Sequence, residues 1–375
     1  MNTAELSANR ITISGTALEQ NYRCIAERVG PEVAVLAMVK ADAYGHDMVF
    51  AAKAFARAGC RIFGVAEIGE GVRLRQAGIV GDILVMVGFL PEQAQLFFTY
   101  DLTPVVFDAA TITGLAELAV QQGKILPVQL KVDCGMSRLG IAPRQAAAFA
   151  EMVGRSNGLR LAGILSHFPA ADQPESPTTA TAYDLFNGAC RQLDDHKSLL
   201  RHIANSGAVL NFPETFGNMV RAGIALYGYA ADGQEGHARA AGLLPAMTFS
   251  TRIVQVKEIA AGTGVSYGHT YTTTRPTRLA ILPVGYEDGY SRSLSNRAEV
   301  LIGGRRAAVR GRICMNLCMV DISEIDGVHA GDEAVLLGAQ GDQHIWADEL
   351  AGLAGTISYE ILCMLGNNNV RILEE

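Results

Sequence analysis

No apolar run in the sequence reaches the ~18 residues that a membrane span needs; Ile83 to Leu90 is about as long as they get. Charge is scarce. Only 18% of residues are charged, below the ~25% of an average soluble domain. With 49% hydrophobic residues, this composition excludes a disordered chain and supplies large cores. Basic residues do not dominate: 31 against 38 acidic leave a formal net charge of −7. That excludes a chain-wide basic footprint for nucleic acid and leaves room for a local positive pocket. The first ten residues, MNTAELSANR, lack a basic stretch followed by an apolar one. Nothing there marks the chain for export, so a cytoplasmic location is expected. The seven cysteines (Cys24, Cys60, Cys134, Cys190, Cys314, Cys318, Cys363) are an odd number scattered through apolar surroundings, which reads as reduced thiols. Cys314 and Cys318 have no second Cys/His pair nearby, so no metal is expected. No GxxxxGK[ST] loop and no HExxH occurs, and GTGVSYG (262–268) does not fit GxGxxG. There is no internal repeat and no low-complexity segment.

The length of 375 residues suggests two or three domains at ~150 residues each. Up to about residue 230, short β-branched and apolar runs recur: Val33–Lys40, Ile62–Ala66, Asp82–Gly88, Leu102–Phe107, Ile125–Asp133, Leu161–Phe168, His202–Ser206 and Met219–Gly228. Helix-like stretches lie between most of them. His46–Gly59 sets Met48, Ala51, Ala52, Phe55 and Ala56 on one face; Ala109–Gly123 and Pro143–Gly154 behave likewise, with Pro143 placed to start a helix and the glycines to end one. Only Gly207–Phe212 follows the seventh run. Eight buried strands, most followed by a helix, predict an α/β fold with an N-terminal (β/α)8 barrel of the TIM type. After AADGQEGHARAAG (230–242), the runs Phe249–Ile259, Arg278–Tyr286, Ala298–Ile302, Ala307–Arg312, Cys318–Ile322 and Glu333–Leu337 alternate between Gly- and Asp-rich turns, with one helix expected at Trp346–Leu353. This predicts a mostly antiparallel β domain. The division expected is 1–235 and 236–375, with residues 1–14 able to pair with the β domain.

A barrel carries its chemistry at the C-terminal rim. Strand one closes on Lys40, followed by Asp42, Tyr44 and His46. Lys131 and Asp133, then Arg138, close strand five; Ser166 and His167 close strand six; Asn205 and Ser206 close strand seven; strand eight carries Arg221 and Gly223. A lysine ending an apolar strand has two readings: a solvated strand end, or a desolvated amine of lowered pKa able to act as a nucleophile. Asn205-Ser206-Gly207 and Arg221-Ala222-Gly223-Ile224 put hydroxyl and backbone N–H donors on adjacent strands, as an anion such as phosphate requires.

Nine motifs, in order along nearly the whole chain, carry a resemblance: AMVKADAYGHD (37–47), KVDCGMSRLG (131–140), ILSHFPAAD (164–172), HIANSGA (202–208), VRAGIALYG (220–228), GVSYGHTY (264–271), VGYEDGYSR (284–292), GRICMNLCMVD (311–321) and TISYEI (356–361). They resemble the alanine racemases. The resemblance implies a pyridoxal 5′-phosphate enzyme with an N-terminal barrel and a C-terminal β domain, acting as a homodimer on L- and D-alanine. It implies that Lys40 binds the coenzyme covalently and then serves as one base, and that Tyr267, reaching in from the partner subunit, is the other. Tyr44, Ser206, Gly223, Ile224 and Tyr359 match phosphate-contacting positions, with Asn205 beside them. Arg221 matches the arginine facing the pyridine nitrogen, and His167 the histidine against the ring. Arg138 and, from the partner, Met315 match substrate-carboxylate positions. Lys131 matches a lysine that is often carbamylated.

Some positions depart from the family pattern. Ala222 stands for a usual proline, Cys134 for threonine, Asn316 for aspartate and Glu287 for a small residue. The tail MLGNNNVRI (364–372) differs from the common SRVPR. These departures bear on substrate range and dimer contacts, and a broad-specificity or serine-preferring racemase is the alternative within the fold. An amino-acid decarboxylase of similar architecture would release carbon dioxide and give no D-enantiomer. A non-catalytic pyridoxal phosphate carrier would lack residues 240–375.

Overall fold

The computed structural model describes residues 7–193 and 198–375. Strand β1 (Arg10–Ser14) and helix α1 (Gly15–Val29) precede eight parallel strands: β2 (Ala34–Met38), β3 (Ile62–Val65), β4 (Asp82–Val85), β5 (Thr103–Val106), β6 (Leu126–Lys131), β7 (Leu159–Leu165), β8 (Leu200–His202) and β9 (Met219–Ala222). Their order is β8-β7-β6-β5-β4-β3-β2-β9. Single bonds rather than a ladder join β8 to β9: Arg221 N–H to the Ala204 carbonyl at 2.9 Å and Asn218 N–H to the Arg201 carbonyl at 3.3 Å. The result is the expected barrel, nearly closed. Strands buried on both faces read as unbroken apolar runs, here AVLAM and DILV.

The helices between them are α2 (Met48–Arg57), α3 (Ile68–Gln76), α4 (Gln95–Thr99), α5 (Ala109–Gln122), α6 (Ala146–Arg155), α7 (Pro177–Arg191) and α8 (Ser206–Asn211). Short polar side chains start several of them. Asp47 accepts from Phe50 N–H and Asp108 from Thr111 N–H, satisfying donors that a helix leaves open. Pro143 opens a 3₁₀ turn ahead of α6 rather than the helix itself.

All eight barrel strands stop short of the runs read from the sequence, and three of these ends show what the rim does with the residues that follow. β2 stops at Met38, two residues before Lys40. β8 ends at His202, and Asn205 already caps α8 through Ala208 N–H at 3.1 Å. β9 ends at Ala222, and Ile224–Tyr227 is a 3₁₀ turn. In each case the chain leaves the ladder where its polar groups are needed.

Beyond the barrel, α9 (Glu235–Ala240) lies within the 230–242 segment that separates the two sets of runs. Strands β10 (Met247–Arg252), β11 (Gln255–Ile259), β12 (Gly264–Val265), β13 (Tyr271–Thr272), β14 (Thr277–Leu282), β15 (Glu299–Ile302), β16 (Arg305–Val309), β17 (Cys318–Asp321), β18 (Glu333–Gln340), β19 (Gln343–Ile345) and β20 (Arg371–Glu374) follow. All but the β12-β13 hairpin join one sheet, ordered β11-β14-β17-β16-β15-β18-β10-β1-β20 with β19 on β18. It is antiparallel except where β1 runs parallel to β20. Two helices, α10 (Ala347–Ala354) and α11 (Ser358–Asn368), interrupt the strands rather than one. Ile361, Leu362 and Leu365 recur at helical spacing on α11 and are buried.

The segment leaving the barrel meets α10 at a polar junction. The Tyr229 hydroxyl, Arg239 Nε and Asp348 Oδ1 are buried there without a hydrogen-bond partner. Burial pushes the Asp348 carboxyl up to about 6; the Ser358 hydroxyl opposes this, while Asp232 and Glu235 reinforce it. A carboxyl raised in the folded state stabilises while protonated and loses that contribution as pH rises through about 6. Asp348→Asn should therefore raise the melting temperature at pH 8, by a free-energy gain of about 1 kcal/mol after discounting for partial exposure. The gain should shrink on titration to pH 5. A gain independent of pH in the same melting series would contradict the assignment.

Candidate active site

The rim of the barrel encloses a cavity of about 400 Å³, lined among others by Lys40, Tyr44, Lys131, Arg138, His167, Asn205, Ser206, Arg221, Gly223, Ile224 and Tyr359. Eleven of the residues singled out from the sequence thus meet in one place. Met38, Ala41, Met86, Val87, Leu139 and Cys363 line it as well; their apolar or thiol side chains carried no signal of their own. No lining residue is a carboxylate, while four are cations.

Lys40 heads an unusual stretch of backbone. Ala41, Asp42, Ala43 and Tyr44 all have φ between 52° and 57°, so the chain makes one left-handed helical turn without a glycine. Such residues each carry ~1–2 kcal/mol of strain, which the surroundings must hold. Ala41 N–H donates to Glu70 Oε1 at 2.7 Å, and Asp42 Oδ1 accepts from Met48 N–H at 3.0 Å. The turn sets Lys40 and Tyr44 on one wall of the cavity. Burial, then the Arg138 charge, lowers the Lys40 amine, with Glu70 opposing. Tyr44 packs at a tilt against Tyr227 with centroids 4.8 Å apart, and burial raises its phenol.

Opposite the turn, the Ser206 hydroxyl accepts from Gly223 N–H at 2.8 Å and Ala225 N–H at 3.3 Å. Its own proton is left to donate. A Cβ at residue 223 would lie 2.5 Å from the Tyr44 hydroxyl, so glycine is needed for the tyrosine to reach this corner.

Arg221 is almost fully buried. Its Nη1 donates to the His202 carbonyl at 2.9 Å and to His202 Nδ1 at 3.2 Å. Its Nη2 donates to the Ser166 carbonyl at 2.6 Å, the Ile203 carbonyl at 3.2 Å and His167 Nδ1 at 3.0 Å. A guanidinium only donates, so both imidazoles must accept at Nδ1 and carry their proton on Nε2. Burial and the Arg221 charge hold both rings neutral, well below the ordinary histidine value. His202 Nε2–H then donates to Gln129 Oε1 at 2.6 Å. Burial, then Arg138, lowers Arg221 to about 10, so it stays charged at neutral pH. Neither Gln129 nor His202 was singled out in the sequence; they lie 73 residues apart, and nothing local marks the pair.

The Asp133 carboxylate is committed to a loop. It accepts from the N–H groups of Gly135, Met136, Ser137 and Arg138, which fixes the segment presenting Arg138. Lys131 is left with cations around it. Burial, then Arg221, Arg138 and Lys40, lowers it to about 8, against Asp133.

Tyr267 and Met315 lie outside the cavity. Tyr267 is 69% exposed and Met315 54%. Tyr267 borders a separate hollow of about 630 Å³ with Ser266, Gly268, Cys314 and Leu317. Ser266 has φ 62°, and its hydroxyl donates to the Arg312 carbonyl at 2.6 Å.

Residues 13–231 match the family model described as the alanine racemase N-terminal domain, and residues 246–373 that of the alanine racemase C-terminal domain. The chain belongs to the alanine racemase family. It is 41% identical over 353 residues to an alanine racemase of Halothermothrix orenii, covering 93% of this chain and 92% of the relative. The crystal structure of alanine racemase from D-cycloserine-producing Streptomyces lavendulae superposes with a TM-score of 0.92 at 34% identity, covering 98% of this chain and 97% of that one. That of Bartonella henselae, described with covalently bound pyridoxal phosphate, gives 0.87 at 28% identity, covering 97% and 99%.

The buried chain behind Arg221 is open to test. Gln129→Met removes the acceptor for the His202 Nε2–H and leaves a buried donor unpaired. It should destabilise the protein by about 1–3 kcal/mol in urea unfolding; an unchanged midpoint would show that the donor has another partner.

Proposed function

We propose that this chain is a pyridoxal 5′-phosphate-dependent alanine racemase, interconverting L- and D-alanine in the cytoplasm and supplying D-alanine for peptidoglycan. The observation that carries the reading is the cavity with four cations and no carboxylate. It suits a ligand with a phosphate at one end and, beside it, a substrate carboxylate.

The donor set fits the coenzyme. Ser206, Tyr44, Tyr359, Asn205 and the backbone of Gly223 and Ile224 would hold the phosphate, where glycine leaves the room described above. Arg221 would face the pyridine nitrogen and His167 the ring. Arg138 would take the substrate carboxylate, and Lys40 would bond to the coenzyme aldehyde. When bound, the coenzyme supplies an electron sink for the pair left when the α-proton departs.

What the chain's own residues do follows from their state. Arg221 is held by neutral acceptors only, so it remains a full cation and offers no proton to the pyridine nitrogen. That weakens the sink and favours return of the proton over competing chemistry. Racemisation takes a proton from one face of the α-carbon and returns one on the other. One base could do so only by moving, so two opposed bases are the simpler arrangement. Lys40, its amine lowered by burial, would take the proton from one face or return it there. Tyr267 of the partner subunit would do the opposite on the other face, one group unprotonated while the other is protonated, and Met315 of the partner subunit would complete the carboxylate site. The exposure of Tyr267 and Met315 supports a homodimer that shares its sites. Lys131 near 8 keeps part of its amine neutral at physiological pH. That form adds carbon dioxide, releasing a proton and leaving a carbamate, an anion that Arg138 can use as an acceptor.

A second reading, a racemase of broad or serine-preferring specificity, has one observation in its favour. Asn316 Nδ2 donates to the Glu287 carboxylate directly beside Met315, so both departures from the family pattern meet at the proposed substrate mouth.

A chiral assay on L-alanine should yield D-alanine. Serine outpacing alanine would move the assignment to the second reading, and carbon dioxide release without D-enantiomer would end both. Lys40→Ala should lose the visible absorbance of bound coenzyme; a retained band would remove Lys40 from its role. Tyr267→Phe should lower activity by ~10²–10⁴ and impair α-proton exchange more from L- than from D-alanine. Equal impairment would refute the facial assignment. Mixing the two variant chains should restore some activity, and mixed dimers without any would contradict a shared site.

A further inference from the structure

The left-handed turn of residues 41–44 has no glycine to relieve it, so what fixes it matters to both side chains it carries. Glu70 and Arg73, both on α3, hold it from within the barrel: Glu70 takes Ala41 N–H, and Arg73 Nη1 donates to Asp42 Oδ1 at 2.9 Å. Arg73 is half exposed, so its pair is well screened. The other anchor comes from far away in sequence. Arg371, the first residue of β20, reaches Asp42 Oδ2 at 2.6 Å, with both side chains less than one-fifth exposed. The same Nη1 donates to the Gly45 carbonyl at 3.2 Å. Arg371 therefore grips the turn's own carboxylate and the carbonyl just past its end. Gly45 itself abuts α11: a Cβ there would lie 2.5 Å from the Leu362 carbonyl. Burial opposes ionisation of Asp42, but Met48 N–H and Arg371 hold its carboxyl below the usual range.

We propose that Arg371 is a positioning residue for the reaction, acting through Asp42 and the Gly45 carbonyl to keep the strained turn in the form that sets Lys40 and Tyr44 in the cavity. It does not line the cavity. β20 is thereby tied at once to β1 of the second sheet, with Ile11 opposite Arg371, and to the barrel rim. This inference rests on the role proposed for Lys40.

The test uses holoenzyme. Arg371→Met should speed release of pyridoxal phosphate roughly tenfold, between the small effect of an exposed ion pair and the large one of a buried pair. It should also shift the pH at which the visible band of the bound coenzyme changes. Arg371→Lys keeps the charge and should recover most of both. Asp42→Asn should match Arg371→Met, and the double variant should be no worse than either alone. Leu373→Ala trims an exposed side chain of the same strand without touching the turn; it should leave coenzyme release unchanged. Wild-type release from Arg371→Met, or equal acceleration by Leu373→Ala, would overturn the proposal. Either result leaves the Lys40 assignment standing, because that falls only with a retained band in Lys40→Ala.

Discussion

Four cations, Lys40, Lys131, Arg138 and Arg221, share a cavity that offers them no carboxylate. Burial, then the charges of their neighbours, depresses Lys40 and Lys131, and the nearby anions are engaged elsewhere. Asp133 is consumed by four backbone N–H groups of its own loop, and Glu70 by Ala41 and Ala66. An array of this kind is costly alone and becomes favourable when a doubly anionic ligand enters. The chemistry proposed for the site follows from that imbalance.

The two structural units serve this cavity unequally. The barrel supplies the charges at the ends of its strands. The second unit supplies Tyr359 and Cys363 from α11, the clamp from β20, and the exposed Tyr267 loop. Strands β1 and β20, from opposite ends of the chain, lie side by side in one sheet. The barrel rim is consequently braced by residues that follow it by more than a hundred positions. Arg221 is braced in another way, by three carbonyls and two neutral imidazoles. Neutral acceptors stabilise the guanidinium without quenching its field at the cavity.

Much of this was legible in the residues. Eight apolar runs separated by capped helices specified the barrel, because strands buried on both faces leave that pattern. The polar groups at the strand ends then named most of the cavity. What stayed illegible has a common cause, namely that tertiary contact overrode local preference. Ala41–Tyr44 has no glycine to announce a left-handed turn; Glu70, Arg371 and α11 impose it. Helix α11 was not among the elements expected from the sequence, where 356–372 was read only for its motif and its departures from the family pattern. Gln129 and His202 are ordinary strand residues until the barrel brings them together. Tyr267 sits in a glycine-rich turn and is exposed in the single chain, as an ordinary surface aromatic would be, and only the family pattern gives it a second role.

The central claim is that one particular amine of this cavity, rather than its neighbour Lys131, bonds to the coenzyme. Borohydride reduction of coenzyme-loaded protein, followed by peptide mass mapping, tests it most directly. The account predicts a pyridoxyl group on Lys40 alone; label on Lys131, or on no lysine of the cavity, would contradict it.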